Sequence, residues 1–404
     1  MSPSEKERVI KARLRESLGL ERNVVVMSAA VFLLGAGEQL WSSFLPKYLE
    51  ALGAGAVVIG LFGAARDFLD AIYQYPGGFI SDRIGARRAL ILFSSIAALG
   101  YAVYAVSPHW PVVFVGLAFV MAWSSMASPG MFAMIADRLP RDRRAMGFTV
   151  QSILKRVPMI ISPVLGGLLI ASLGIVRGIR ASLLITIVLA FVAVLTQSRF
   201  YFGQRKEPPS EALNMIRQFA AMRPPLKRLL LSDIFVRACE GMTEMFIVLY
   251  VINVIGVSPA RFGVLVGIEK ATAIAVYLPA AWLADRFGRK PFVIATFVCF
   301  ASLPLAVIAS HSFAFLILAF IVGGLRETGE PARKAMIVDL ADPSRRGRTV
   351  GLYYLARSLS ITPAALIGGL LWKIDPAVPF VVAFFIGLTG AAIFAVTVDR
   401  RYAA

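Results

Sequence analysis

Acidic and basic residues recur inside stretches of this chain that are otherwise apolar. Glu38 stands in VFLLGAGEQLW, Arg66, Asp67 and Asp70 in LFGAARDFLDAIY, and Glu240 and Glu244 in FVRACEGMTEMFIVLY. An ionisable group at membrane depth costs about 2.5–3.5 kcal/mol on insertion scales, so it must face a cavity or a partner and is a functional candidate by default. A carboxylate in apolar surroundings can also take and release a proton near neutral pH. Glu38, Asp67, Asp70 and Glu240 are therefore the candidates for proton coupling, Glu38 foremost.

Further charges sit at comparable depth and are candidates to line a substrate cavity. Besides Arg66 and Glu244 they are Lys155 and Arg156, Glu269 and Lys270, and Arg326, Glu327, Glu330 and Arg357. Trp41 and Tyr73 could supply apolar walls to such a cavity. Positive groups at Lys155, Arg156 and Arg357 could hold an anion, although nearby acids could equally neutralise them. The competing reading is that many of these residues are structural pairs. Arg66 and Asp70 are four apart on one helix face, and Arg326, Glu330 and Arg333 form a comparable ladder.

Enzymatic chemistry finds little support. The chain has no G-x4-G-K-[ST] loop, no HExxH and no extramembrane region long enough for a catalytic domain. No cofactor and no metal is expected. Cys239 and Cys299 lie in apolar stretches without a CxxC partner and read as packing residues.

The elements that must hold these charges follow from composition. Of 404 residues 58% are hydrophobic and 16% charged, against roughly 45–50% apolar in soluble domains. Apolar runs of about 20 residues, enough to cross a ~30 Å hydrocarbon core, predict twelve helical spans. These are 24–46, 56–80, 89–107, 111–136, 146–172 and 176–199, then 229–255, 260–284, 291–309, 313–339, 347–372 and 377–398. The net charge of +18 is spread over every second connection and is not gathered into a nucleic-acid-binding patch. By the positive-inside rule that alternation puts both termini in the cytoplasm.

The expected organisation is a tail (1–23), a six-helix bundle (24–200), a linker (201–228), a second six-helix bundle (229–399) and a short tail (400–404). An apolar stripe of Ile10, Leu14 and Leu18 marks the first tail, and EALNMIRQFAAM in the linker is a candidate interfacial helix.

Shifting the chain on itself by about 202 residues aligns the two halves, the mark of a repeated architecture. Glu38 falls on Glu240, GFISDRIGARR on AWLADRFGRKP, and PGMFAMIAD on PARKAMIVD. Ser162, Pro163, Gly166 and Gly167 fall near Thr362, Pro363, Gly368 and Gly369.

At these residues the chain resembles the major facilitator superfamily, whose best-known motif is G-x3-D-R-x-G-R-R-R between the second and third helices. Gly78, Asp82, Arg83, Gly85, Arg87 and Arg88 match it, with Ala86 in place of the first closing base. The second copy keeps Asp285, Arg286, Gly288, Arg289 and Lys290, with Ala281 for the glycine. The resemblance implies an all-α membrane fold of twelve helices in two pseudo-symmetric bundles, with this loop acting as a conformational latch. Ser162, Pro163, Gly166 and Gly167 partly match a fifth-helix motif of proton-linked antiporters, whose usual fourth-helix Arg is absent from the run before Arg138.

The resulting expectation is a monomeric secondary transporter of the plasma membrane, with the lipid bilayer, a small organic solute and protons as its partners. Export is favoured over uptake of an organic anion. A non-transporting membrane sensor with the same fold is the alternative from another class.

Overall fold

A computed structural model describes residues 22–126, 144–200, 219, 222–341 and 346–398; the N-terminal tail, most of the linker and the side chains of Asp82 and Lys155 lie outside the described residues. Each predicted span is helical over its described residues, residues 127–136 of the fourth lying outside them, and no strand occurs among the described residues.

The first span is α1 (Arg22–Trp41), a short 3-10 turn (Ser42–Phe44) and α2 (Leu45–Ala51). There follow α3 (Ala56–Ile84), α4 (Ala86–Val106), α5 (Trp110–Met121), α6 (Arg144–Leu173) and α7 (Ile175–Phe200). The second half holds α8 (Pro224–Leu249), α9 (Pro259–Phe287) and α10 (Arg289–Ile308). Its last three spans are α11 (Phe313–Leu325) with α12 (Glu330–Leu340), α13 (Arg346–Ile361) with α14 (Pro363–Trp372), and α15 (Val378–Thr397).

Two spans break where the sequence withdraws backbone donors. Pro331 and Pro363 open α12 and α14; a proline lacks the N–H that a continuous helix would need. Seven described helices are individually long and apolar enough to cross a membrane. The second, seventh and tenth spans are not among them, and these carry the densest interior charge.

The glycines of the DR-x-G motif do what its spacing requires. Gly85 and Gly288 have φ of 85° and 88° and separate α3 from α4 and α9 from α10. Side chains other than hydrogen rarely adopt that conformation, so each copy makes the same abrupt reversal.

The chain divides into two compact units. One comprises Met1–Ser42, Ile72–Ser162 and Ile179–Ser210. Within it Trp41 is buried edge-on to Tyr101 and Tyr104, with ring centroids 5.8 and 5.6 Å away. Thr186 donates to the Gly37 carbonyl at 2.8 Å, fastening α7 to α1.

The other unit comprises Ser43–Ala71, Pro163–Gly178 and Glu211–Ala404. Short segments from the first sequence half are therefore packed together with the whole of the second. Its apolar core includes Leu229, Val236, Phe297, Met336, Tyr353 and Phe394. Two backbone crossings join the short segments to it. At one, Gly60 lies against Ala365 and Gly369; at the other, Gly167 lies against Pro259 and Gly263. Under the shift of about 202 residues Gly167 falls on Gly369 and Gly60 falls beside Gly263, so the crossings are images of one another. Small residues permit this approach, as at helix interfaces in membranes generally.

A methyl group at Gly369 would sit 2.6 Å from the Ala56 carbonyl oxygen, whereas one at Gly351 meets nothing within 4 Å. Gly369→Ala is expected to destabilise the purified protein by about 1–3 kcal/mol through overpacking, and Gly351→Ala to be neutral or slightly stabilising. Thermal unfolding in detergent measures both.

Candidate functional site

Within the second unit most of the interior charges form one connected set of ion pairs. At its deepest point Asp233 of α8 is fully buried. Its Oδ2 accepts from Arg333 Nη1 at 2.5 Å, Tyr353 OH at 3.0 Å and Arg357 Nη1 at 3.5 Å. Arg333, also buried, donates to both oxygens of Glu330, at 3.0 and 2.8 Å. Glu330 in turn accepts from Arg237 at 2.6 Å. One carboxylate of α8 thus ties together α12 and α13.

From Arg237 the set runs outward. Arg237 donates to Glu240 at 2.8 Å, and Glu240 also accepts from Arg326 at 3.2 Å. Arg326 reaches Glu269 at 2.7 Å, where Lys270 donates at 2.9 Å. Phe300 lies under both guanidinium groups, 4.7 Å from Arg237 and 5.0 Å from Arg326. Such cation–π contacts offset the mutual repulsion of two nearby cations.

A second group involves α3. Arg66 donates to Glu244 of α8 through both terminal nitrogens, at 3.2 and 2.7 Å. Through Nε and Nη2 it also reaches Asp67 Oδ1, at 3.3 and 3.1 Å. Two carboxylates share one guanidinium. Glu244 is the most exposed member of these pairs, its side chain 49% accessible, against 16% for Asp67. A charge that open at span depth belongs on a water-filled surface, not against lipid.

At the end of the same crossing Lys47 bonds to Glu50 and to Asn253, and Asn253 Nδ2 donates to Glu50 at 2.7 Å.

Several sequence expectations change at this point. The ladder expected of Arg326, Glu330 and Arg333 forms only between Glu330 and Arg333, because the helix is interrupted at 326–329 and Arg326 turns instead to spans seven and eight. Arg66 is held by Asp67 and Glu244, reaching beyond its own helix instead of depending on Asp70 one turn away. Glu330 and Trp41 are buried, the first in ion pairs with Arg237 and Arg333 and the second against Tyr101 and Tyr104. Arg357, expected to offer a positive charge, is engaged by Asp233 and stacks on Tyr354 at 4.8 Å.

Asp70, Tyr73, Arg156 and Glu327 are half-buried on their spans, as is Glu38 in the first unit. In the latch motif, Arg87 donates to the Ser198 carbonyl and Arg289 to Asp339 at 2.6 Å, while Arg83, Arg88, Asp285 and Arg286 are exposed. Arg286 lies over the rings of Trp282 and Phe287. Asp233, Phe300 and Tyr353 were absent from the sequence candidates. The spacing of Asp233 and Arg237, four apart on one face, is the local signal by which the first of them could have been found.

Twelve helical spans in two related halves, with ionisable side chains held in the interior, define a polytopic membrane transport protein. The Major Facilitator Superfamily model matches residues 27–251 and 229–404, and the chain belongs to that superfamily. An uncharacterized MFS-type transporter of Methanocaldococcus jannaschii is 23% identical over 370 residues, covering 89% of this chain and 91% of the relative. The class C tetracycline resistance protein of Escherichia coli is 27% identical over 351 residues, covering 79% and 86%. Among solved structures, the nucleoside transporter NupG superposes with a TM-score of 0.78 at 13% identity, covering 92% of this chain and 98% of that one. The chain is a transporter, as its relatives are, and not an enzyme.

The exposure gradient along the ion pairs sets their energetic weight. Asp233→Ala removes the buried acceptor on which Arg333, Tyr353 and Arg357 converge, leaving Arg333 with Glu330 alone, and is expected to lower stability by about 3–5 kcal/mol. Glu244→Ala, at the open end, should cost under about 1 kcal/mol. Unfolding of the two purified variants in the same detergent compares them directly.

Proposed function

We propose that the chain is a proton-coupled secondary transporter that exports a small organic solute by alternating access between its two sequence halves. The observation that carries the proton assignment is the sharing of Arg66 by Asp67 and Glu244. If Asp67 takes a proton, Arg66 keeps its two contacts with Glu244 and no cation is stranded. Glu240 is in a different position: its two oxygens serve two guanidinium groups, Arg237 and Arg326, so neutralising it would weaken two bases at once, each then held by its remaining acid, Glu330 or Glu269. Asp67 is thus the leading proton carrier, and Glu38 is the alternative in the first unit.

Export is supported by the name of the tetracycline resistance relative and by the place of Pro163 and Gly167 at a backbone crossing. Uptake of an organic anion receives less support, since Arg66, Arg237, Lys270, Arg326, Arg333 and Arg357 are each matched to a carboxylate. In this reading the protein lies in the plasma membrane, and the alternating bases support cytoplasmic termini by the positive-inside rule. The face carrying residues 52–55 and 373–377 is then the outer one.

The test uses sealed vesicles containing the purified protein and an internal pH dye. They are challenged with ethidium, tetraphenylphosphonium and tetracycline, then with benzoate and glutarate. Wild-type protein is expected to move protons in response to a member of the first set, and Asp67→Asn to fall to the protein-free background. Full proton movement by Asp67→Asn together with loss in Glu38→Gln would transfer the role to Glu38. Silence of the folded wild type across both sets would overturn proton coupling.

A further inference from the structure

Glu244 has no proton to carry in this scheme, yet it holds the only interior guanidinium of α3 that the described ion pairs include. The place of that contact is informative. Gly60, Gly63, Arg66 and Asp67 recur at helical spacing and therefore share one face of α3. Along that face Gly60 meets Ala365 and Gly369 of α14. A methyl on Gly63 would meet Ala365 and, at 3.0 Å, Met245 of α8. Beyond them Arg66 grips Glu244, and Asp67 lies over Gly241, whose added methyl would come within 4.0 Å of the carboxylate. The ion pair therefore lies along the same face of α3 as the glycine crossing, with α8 as its partner where the crossing has α14, and Gly63 between them meets both.

We infer that Glu244 is a positioning residue that receives Arg66 when Asp67 is protonated, and that this transfer locks the Gly60–Gly369 face shut. The inference rests on the proposed proton role of Asp67 and adds what the proton does. With Asp67 ionised, Arg66 divides its donors between two carboxylates, so its hold across the crossing is weaker. Once Asp67 is neutral, Glu244 is the remaining anion and the bidentate pair takes the full attraction. Proton binding thereby favours the closed face, and proton release frees it to open. An exporter needs that order: it must close outward while carrying a proton in.

Other charges act on the same groups. Glu240 on α8 faces Asp67 through space, and Lys270 on α9 and Arg326 at the break of the tenth span act on Glu244. Glu240 pairs with Arg326 and Lys270 with Glu269, so the partition of Arg66 is what the proton on Asp67 changes.

The experiment reads the face itself and requires no substrate. Spin labels are attached at Gly55→Cys and Ile374→Cys, both exposed, at the ends of the spans that cross, with Cys239 and Cys299 replaced by Ala. Distances between labels are measured in the full chain at acid and alkaline pH, after size-exclusion has confirmed folding. Wild type is expected to be short at acid pH and to gain a long-distance population at alkaline pH. Asp67→Asn should lose the pH response and stay short. Glu244→Gln should show the long population at both values.

The double variant Asp67→Asn with Glu244→Gln decides the mechanism. If closure acts through Glu244 the double variant opens like Glu244→Gln. If it stays closed like Asp67→Asn, or if Asp67→Asn responds to pH as wild type does, the inference is overturned. A failure here alongside substrate-driven proton movement in vesicles would remove the lock and leave the transporter reading intact.

Discussion

An arginine inside a membrane protein cannot be left alone. Its guanidinium stays charged at any accessible pH, and stranding it in a low-dielectric interior costs several kcal/mol. The second compact unit is arranged around this constraint. Arg66, Arg237, Arg326, Arg333 and Arg357 each lie against a carboxylate, and the contacts link spans two, seven, eight, ten and eleven. The break in the tenth span follows the same requirement: the turn at 326–329 lets Arg326 point back to Glu240 and Glu269 while Arg333, beyond it, reaches Asp233.

The network also limits where a transport cycle can intervene. Its buried end is saturated, and disturbing it threatens the fold before it changes the function. The separate, more exposed group differs, because there Asp67 serves a single base, Arg66, and that base keeps a second acid, Glu244. A site that can lose one negative charge without orphaning a cation is where proton binding can be reversible. Its position beside the glycine crossings joins a protonation event to the packing of two helices, and the repeat supplies a matching crossing between spans five and eight.

The spans, their number and the repeat were legible in the chain because each rests on a local pattern. Apolar runs near twenty residues mark the helices, and Gly85 and Gly288 mark the same turn in each half. The partners of the interior charges were not legible. Helical spacing finds Glu330 with Arg333 and Arg237 with Glu240, pairs three residues apart. It cannot find Arg66 with Glu244, separated by 178 residues, or Arg333 with Asp233, separated by 100. Those pairings depend on how helices are packed, which no single-helix pattern records. Asp233 was missed for a related reason: its importance lies in the three donors that converge on it from other helices.

The most direct test of the account follows the coupling carboxylate itself. Infrared spectra of the purified full chain, recorded as the pH is lowered through neutrality, report the carbonyl band of a newly protonated carboxyl group. The account predicts that this band grows in wild type and in Glu240→Gln and is missing from Asp67→Asn. A band of equal amplitude in Asp67→Asn and wild type would contradict it, and would place the proton on a different carboxylate.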